Sequence, residues 1–385
     1  MDTLDKLLDN VGFLSLSWQH FVMFAIGGLL IFLAVRKNYE PLLLVPIGFG
    51  AILANLPLGG MAASSAWHGA NDGHIPLMQL VYNAGIKTEL LPPVIFLGVG
   101  ALTDFRPLLG RPITFLLGAA AQAGIFFAAL GAHFIFNFNL REAGAIGIIG
   151  GADGPTSIFL ASKMAPHLLG PIAVAAYSYM SLVPVIQPPI MRLLTTRKER
   201  HIAMRQAKDV SQSAVILFPI LVAILSILFI PSCAPLVGML MFGNLLRESG
   251  VTDRLYKTAG GELINIVTIF LGLVIGATMD GESFLTSRTL FILILGAIAF
   301  SLSTAGGVLF AKFLNLFLKG DEMINPCIGA AGVSAVPMSA RVVQKFVSEQ
   351  TDGKVNPLMA AMGPNVAGVI GSAITAGVFL ALLGD

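Results

Sequence analysis

Residues 113–135 and 213–230 contain no Asp, Glu, Lys or Arg. A run of 18 or more apolar residues reads as a membrane-crossing helix, because about 20 residues at ~1.5 Å each match a hydrocarbon core ~30 Å thick. Within lipid every backbone N–H and C=O must bond inside the chain, so only helices and closed barrels cross. Composition agrees. The 385 residues are 56% hydrophobic and 11% charged, with a mean hydropathy of +0.84, whereas a soluble domain carries about 25% charged residues. So few polar side chains do not cover a water-exposed surface. The reading is an all-α integral membrane protein whose main partner is the lipid bilayer. Nothing in it points to nucleic acid.

Spans are expected at about 19–36, 41–57, 91–104, 113–136, 168–190, 212–231, 234–247, 262–279, 289–311 and 356–383, about ten in all. Two Gly-rich apolar segments, 143–163 and 323–345, are broken by polar residues and prolines, and are read as re-entrant hairpins. Residues 1–18 form an N-terminal segment with Asp2, Asp5, Lys6 and Asp9, and no cleaved signal peptide is expected. Cys233 and Cys327, far apart in apolar surroundings, are expected to be free buried thiols.

Lys and Arg orient the spans. Loop 191–211 holds Arg192, Arg197, Lys198, Arg200, Arg205 and Lys208, which makes it cytoplasmic. Counting outward puts Arg36–Lys37, Arg106–Arg111, Arg247–Lys257 and Lys312–Lys319 on the same side. Loop 58–90, whose sole basic residue is Lys87, and both termini then fall outside.

The chain repeats itself. IFLGVGALTD (95–104) matches IFLGLVIGATMD (269–280), and PTSIFLASK (155–163) matches PMSARVVQK (337–345), with partners about 174–185 residues apart. The first copy covers 19–190 and the second 212–385, each with five spans and one hairpin. An odd number of spans inverts the second copy. Inverted repeats with broken helices in matching places mark alternating-access transporters, with sites near the midplane.

Asp153, in GIIGGADGPTS, is a carboxylate at membrane depth, costing about 3 kcal/mol or more, and so is a functional candidate by default. With Thr156, Ser157 and glycine-exposed carbonyls it offers hard oxygen ligands for sodium, or a proton carrier. The bland alternative is a helix-start hydrogen bond. The second hairpin contributes Asn325, Gly329, Ser334 and Arg341. Arg341 needs an anion or snorkels to the interface, and Asn325 also suits an ordinary cap. Asn365 and Ser372 lie where Gly and Pro interrupt the last span, and an amide oxygen there is a good cation ligand. Tyr177 and Tyr179 precede Pro184 inside a span. His68 and His74 lie in a loop, no histidine pair has metal spacing, and no phosphate-binding Gly-Lys loop or HExxH occurs.

At GGADGPTSIF, YSYMSLVPVIQPPIM, NPCIGAAGVSAVPMSARV and GPNVAGVIGSA the chain closely resembles the β subunits of sodium-pumping biotin-dependent decarboxylases, the oxaloacetate, methylmalonyl-CoA and glutaconyl-CoA enzymes, from about residue 20 onward. The resemblance implies an elevator-like fold in a bacterial cytoplasmic membrane, and a homotrimer with a small γ/δ membrane subunit. It further implies carboxybiotin delivered from the cytoplasm by a separate biotin-carrier and carboxyltransferase subunit. Its decarboxylation would consume a proton and drive Na+ outward. By the same resemblance Asp153, Asn325 and Asn365 are expected to hold Na+. Arg341 and Gly329 would receive carboxybiotin, Tyr179 or Ser334 would supply a proton, and Tyr177, Thr156 and Ser372 are further candidates. The rival reading is a Na+-coupled secondary transporter (a Na+/H+ exchanger or Na+/carboxylate symporter) on a similar scaffold.

Overall fold

Prolines and glycines set the helix boundaries. Pro41 opens one helix in its first turn, Pro92 and Pro93 another, and Pro155 a third, positions where the missing N–H costs nothing. A computed structural model describes residues 11–63, 75–204 and 207–384. The charged residues of the first ten positions, His68, His74 and Arg205 lie outside these. Helices of eight residues or more are numbered in order: α1 Trp18–Lys37, α2 Pro41–Ala54, α3 Leu91–Leu102, α4 Thr114–Ala121, α5 Ala123–Phe134, α6 Leu140–Gly147, α7 Gly154–Met164, α8 Leu169–Leu194, α9 Gln212–Phe229, α10 Ala234–Glu248, α11 Ile264–Ala277, α12 Ser287–Leu314, α13 Met338–Gln350 and α14 Leu358–Leu383.

Seven helices among the described residues are long and apolar enough to cross a membrane, or eight if Leu77–Lys87 and α3, bent by 63°, count as one span. The chain is a multi-pass membrane protein. Because α11 continues a helix that starts at Asp253, and α4 runs on into α5, three of the ten expected spans are shorter: α2 has 14 residues, α3 has 12 and α10 has 15. At ~1.5 Å per residue none covers the hydrocarbon core alone. They lie instead against neighbours, α2 on α11 and α3 on α10.

Both crossings are made close by glycine, and the two are built alike. A Cβ on Gly50 would strike the Leu273 carbonyl, and one on Gly276 the Ile47 carbonyl and Ala51 nitrogen. In the other crossing Gly243 faces the Leu97 carbonyl, and Gly100 the Leu240 carbonyl and Asn244 nitrogen. Asn55 ties the α2–α11 crossing, donating to the Met279 carbonyl at 2.7 Å and accepting from Gly281 N at 2.9 Å. Asn244 ties the other, donating to the Thr103 carbonyl at 2.8 Å.

Of the two expected hairpins, the first is a helix–turn–helix unit and the second has a helix only in its returning arm. In the first, α6 runs into a 3-10 turn, Ile148–Gly151, and α7 starts after Asp153. In the second, a 3-10 turn, Pro326–Gly332, leads through an extended stretch to α13. Each packs on a helix of the opposite half in matching fashion. Gly150 abuts Ala299 and Ser303 of α12, while Gly332 abuts Leu117 and Ala121 of α4, so hairpin and helix shift by the same number of residues. The helices thus fall into two groups. One contains α1–α3 and α9–α11, and the other contains α4–α8, α12–α14 and the second hairpin's turn.

Cys233 and Cys327 are buried free thiols. Part of the basic loop is structural. Arg200 is buried and donates to the Arg192 carbonyl at 2.8 Å, Thr195 Oγ1 at 2.9 Å and Gln350 Oε1 at 2.9 Å.

Candidate functional site

Asp153 closes the first hairpin's turn. Ala152 has left-handed backbone, Asp153 is extended, and Gly154-Pro155 starts α7. Asp153 Oδ1 accepts from Thr156 N at 3.2 Å, the usual N-cap bond. Its other oxygen, Oδ2, accepts from Ser372 Oγ of α14 at 2.6 Å. Ser334 of the second hairpin donates to Ser372 Oγ at 3.1 Å, and its backbone N–H donates to the Gly151 carbonyl at 2.8 Å. Two hairpin turns and the last helix therefore meet at one carboxylate that is 6% exposed. The capping role and the ion role weighed from the sequence fall on different oxygens of one side chain.

Asn365, wholly buried beside Pro364 in α14, donates to the carbonyls of Ala331 (3.0 Å) and Val333 (2.8 Å), which holds the second turn next to Ser334. Among the described residues its own Oδ1 has no partner, nor do Thr156 Oγ1, Tyr177 OH, Gln122 Oε1 or Ser303 Oγ. A buried polar atom without a partner costs about 1–3 kcal/mol and demands an explanation. Gln122 Oε1 and Ser372 lie beside Gly151, and Ser303 Oγ beside Gly150, so a side chain at either glycine would fill this space. Several unsatisfied oxygens around one carboxylate suit a small hard cation. Among the described residues no three His, Cys, Asp or Glu side chains gather to hold a metal.

Asp153, Tyr177 and Ser334 line a cavity of about 380 Å³ between the two helix groups, with Ile95, Phe96 and Val99 of α3 and Ile264, Asn265 and Thr268 of α11. Its lining includes Leu102, the last residue of α3, and Gly260, which follows Lys257, so it reaches the Lys/Arg-rich end of the helices.

Other expected site residues lie elsewhere. Tyr179 OH donates to the Leu293 carbonyl of α12, while Tyr177 faces the cavity. Asn325 donates to the carbonyls of Arg200 (2.9 Å) and Ile202 (3.1 Å) and accepts from Cys327 N (3.1 Å), an anchor for the start of the second hairpin. Gly329 is buried where the second turn meets Gly307 of α12. Arg341 is exposed on α13 and has no ion-pair partner among the described residues. The structure adds Gln122 and Ser303, polar side chains inside otherwise apolar spans, a signal visible in the sequence but hidden by a search confined to ionisable groups.

The sequence profile described as Na+-transporting oxaloacetate decarboxylase beta subunit matches residues 19–383. The chain belongs to this family. It is 54% identical over 381 residues to the glutaconyl-CoA decarboxylase subunit beta of Acidaminococcus fermentans, covering 99% of this chain and 98% of that one. It is 53% identical to the methylmalonyl-CoA decarboxylase subunit beta of Veillonella parvula, at 99% and 98% coverage. It is 50% identical to the oxaloacetate decarboxylase beta chain of Klebsiella pneumoniae, covering 99% of each. Like these relatives it is a decarboxylase beta subunit. Three different acids appear in the three names at nearly equal identity, so similarity does not choose among them.

Proposed function

We propose that this subunit decarboxylates carboxybiotin brought from the cytoplasm by a biotin-carrier and carboxyltransferase partner, and couples that step to outward Na+ movement with uptake of one proton. Asp153 carries the reading: a buried carboxylate at the junction of both hairpins that lines a cavity, with unpartnered oxygens among the described residues on Thr156 in its own turn and on Tyr177 against Gly154. Na+ is the cargo. Asp153 Oδ2, Asn365 Oδ1, Thr156 Oγ1 and Ser372 Oγ are its proposed ligands, with Gln122 Oε1 in reserve, while Asn325 holds the hairpin that bears the site.

Breaking the N–C bond of carboxybiotin releases CO2 and leaves a ring nitrogen that must take up a proton. Ser334 and Tyr177 are the hydroxyl-bearing side chains that line the cavity together with Asp153, while Thr268 lines it from α11. Tyr179, which bonds to a carbonyl, fixes α8 against α12. Arg341, exposed and without an acid partner, suits the incoming carboxylate, and Gly329 lets the second turn sit flush against α12. Coupling requires that carboxybiotin and Na+ favour different arrangements of the two groups.

The two matched sets of glycine contacts support an inverted repeat, and with it an elevator-type movement of the hairpin group along the other. Ion pairs support the orientation. Arg106–Glu248 and Lys312–Glu199 join residues assigned to the cytoplasm, whereas Lys163–Glu89 and Arg288–Glu142 join residues assigned outside, as are both termini. A trimer with a γ/δ subunit in a bacterial cytoplasmic membrane completes the proposal.

The test reconstitutes the subunit in vesicles with a carboxylated biotin carrier and follows CO2 and 22Na+ together. CO2 release that requires Na+ supports the proposal. Na+ flux without CO2 chemistry would instead establish a secondary transporter.

A further inference from the structure

The cavity that ends at Asp153 holds a second carboxylate. Glu40, in the short link between α1 and α2, lines it together with Leu102 and Gly260 at the Lys/Arg-rich end. Its backbone is left-handed, with φ 36° and ψ 59°, directly before Pro41, a conformation that costs a side-chain-bearing residue about 1 kcal/mol or more. Among the described residues no hydrogen bond or ion pair holds its side chain. Arg36 and Lys37 are near in sequence but exposed, and neither lines the cavity.

The rest of the lining fits a positive ion. It includes two carboxylates and no Lys, Arg or His. Asn265 and Thr268, one turn apart on α11, present an amide and a hydroxyl to the same space. The Thr268 hydroxyl donates to the Ile264 carbonyl at 2.6 Å, which leaves its oxygen free to accept. Tyr177, which is 0% exposed, also lines the cavity, and its buried OH has no partner among the described residues. At ~30 Å³ per water, a volume of about 380 Å³ holds roughly a dozen waters, enough for an ion to enter with its hydration shell.

We infer that Glu40, with Asn265 and Thr268, forms a second cation station at the cytoplasmic mouth, which draws hydrated Na+ from water and passes it to Asp153. The inference rests on Asp153 being a Na+ ligand. Two like charges in one low-dielectric cavity attract a cation more strongly than either alone, and such focusing raises local ion concentration and entry rate by ~10-fold or more at low salt.

The experiment measures Na+-dependent decarboxylation and 22Na+ uptake by the reconstituted complex as Na+ is varied. Glu40→Gln raises the half-saturating Na+ concentration by about fivefold or more, a larger change than in the rate at saturating Na+. The gap from wild type narrows as choline chloride is added, because salt screens the field. Glu40→Asp recovers most of the affinity. If Glu40→Gln does not assemble, Asn265→Leu/Thr268→Val serves as the second probe and shifts half-saturation in the same direction. A folded Glu40→Gln complex with wild-type half-saturation overturns the inference, as does a shift insensitive to ionic strength or an unshifted double variant. The underlying reading has its own control: Na+ dependence that survives in Asp153→Asn removes Asp153 as ligand, whatever Glu40 does.

Discussion

Asp153→Asn separates ion binding from folding. Asn is as good an N-cap as Asp, so the bond to Thr156 N survives on its oxygen, and its NH2, replacing Oδ2, can donate to Ser372 Oγ, whose own proton still reaches the Val369 carbonyl at 3.0 Å. The substitution also removes a charge that is 6% exposed and has no cationic partner within ion-pair distance. Without Na+ the variant should therefore unfold no earlier than wild type. Ion binding should fall sharply. A unit charge pair at ~4 Å in an effective dielectric of ~20 gains about 4 kcal/mol, or nearly 1,000-fold in affinity, and a directly coordinated ion lies closer still. Thermal unfolding in detergent, with NaCl titrated against choline chloride at constant ionic strength, reads both quantities. At 100 times its dissociation constant Na+ stabilises wild type by ~2.7 kcal/mol, and this increment should vanish in Asp153→Asn. A Na+-specific increment retained by the variant would refute the argument. So would a wild-type increment reproduced equally by choline.

Ser372→Ala leaves Asp153 with the Thr156 amide alone and should destabilise the Na+-free protein by ~1–3 kcal/mol. Combined with Asp153→Asn the loss should be smaller than the sum, since the two side chains share one bond. Tyr179→Phe gives up a bond to a buried carbonyl and should cost ~1 kcal/mol in thermal unfolding, whereas Tyr177→Phe removes a hydroxyl without a partner, so stability holds while CO2 release falls. Partial burial raises the Glu199 carboxyl, but hydrogen bonds from Thr196 and the Lys312 ammonium outweigh it and hold the group below its usual range. Such a group stabilises the fold above its unfolded value of ~4.3 and loses that contribution as pH falls through its folded value. Glu199→Gln should therefore lower thermal stability by up to ~1 kcal/mol at pH 7, and the difference should begin to shrink below ~4.3 and vanish once pH has fallen through the lower folded value.

Long charge-free runs forced the helical membrane class, because lipid leaves the backbone few solutions, and ten apolar segments were legible. Length was less so. The residues of α2 and α3 are as apolar as those of spanning helices, so composition there did not reveal where the helices end. Asp153 stood out because an ionisable group in lipid has few bland explanations. Tyr177 and Tyr179 were indistinguishable, since both lie inside one apolar helix. Two positions on an α-helix turn the side chain by ~200°, so one faces the cavity and its neighbour faces α12, and only the packing of α8 decides which. Asn325 and Asn365 divide similarly. Both donate to carbonyls of a neighbouring segment, but the acceptor oxygen of Asn325 is taken by Cys327 N while that of Asn365 is not. Glu40 was not singled out from the sequence, because nothing local shows that it lines the same cavity as Asp153.

The distribution of polar ties bears on the elevator movement proposed above. Asn55 and Asn244 knit the first helix group. Asn365, Ser334, Asn325 and Gln187, which bonds to the Ala330 carbonyl and Ser339, knit the second. Each of these is directional and would resist shear inside its own group. Across the boundary, α3 meets α7 and the cavity through Ile95, Phe96 and Val99, side chains that slide without breaking a hydrogen bond. Lys163–Glu89, at 2.8 Å, joins the groups at the end opposite Glu40, with both partners about one-third exposed. A pair this wet contributes ~1 kcal/mol or less. That is enough to favour closure at that end and too little to forbid opening, so the differential binding of Na+ and of the incoming carboxylate can decide which end is open.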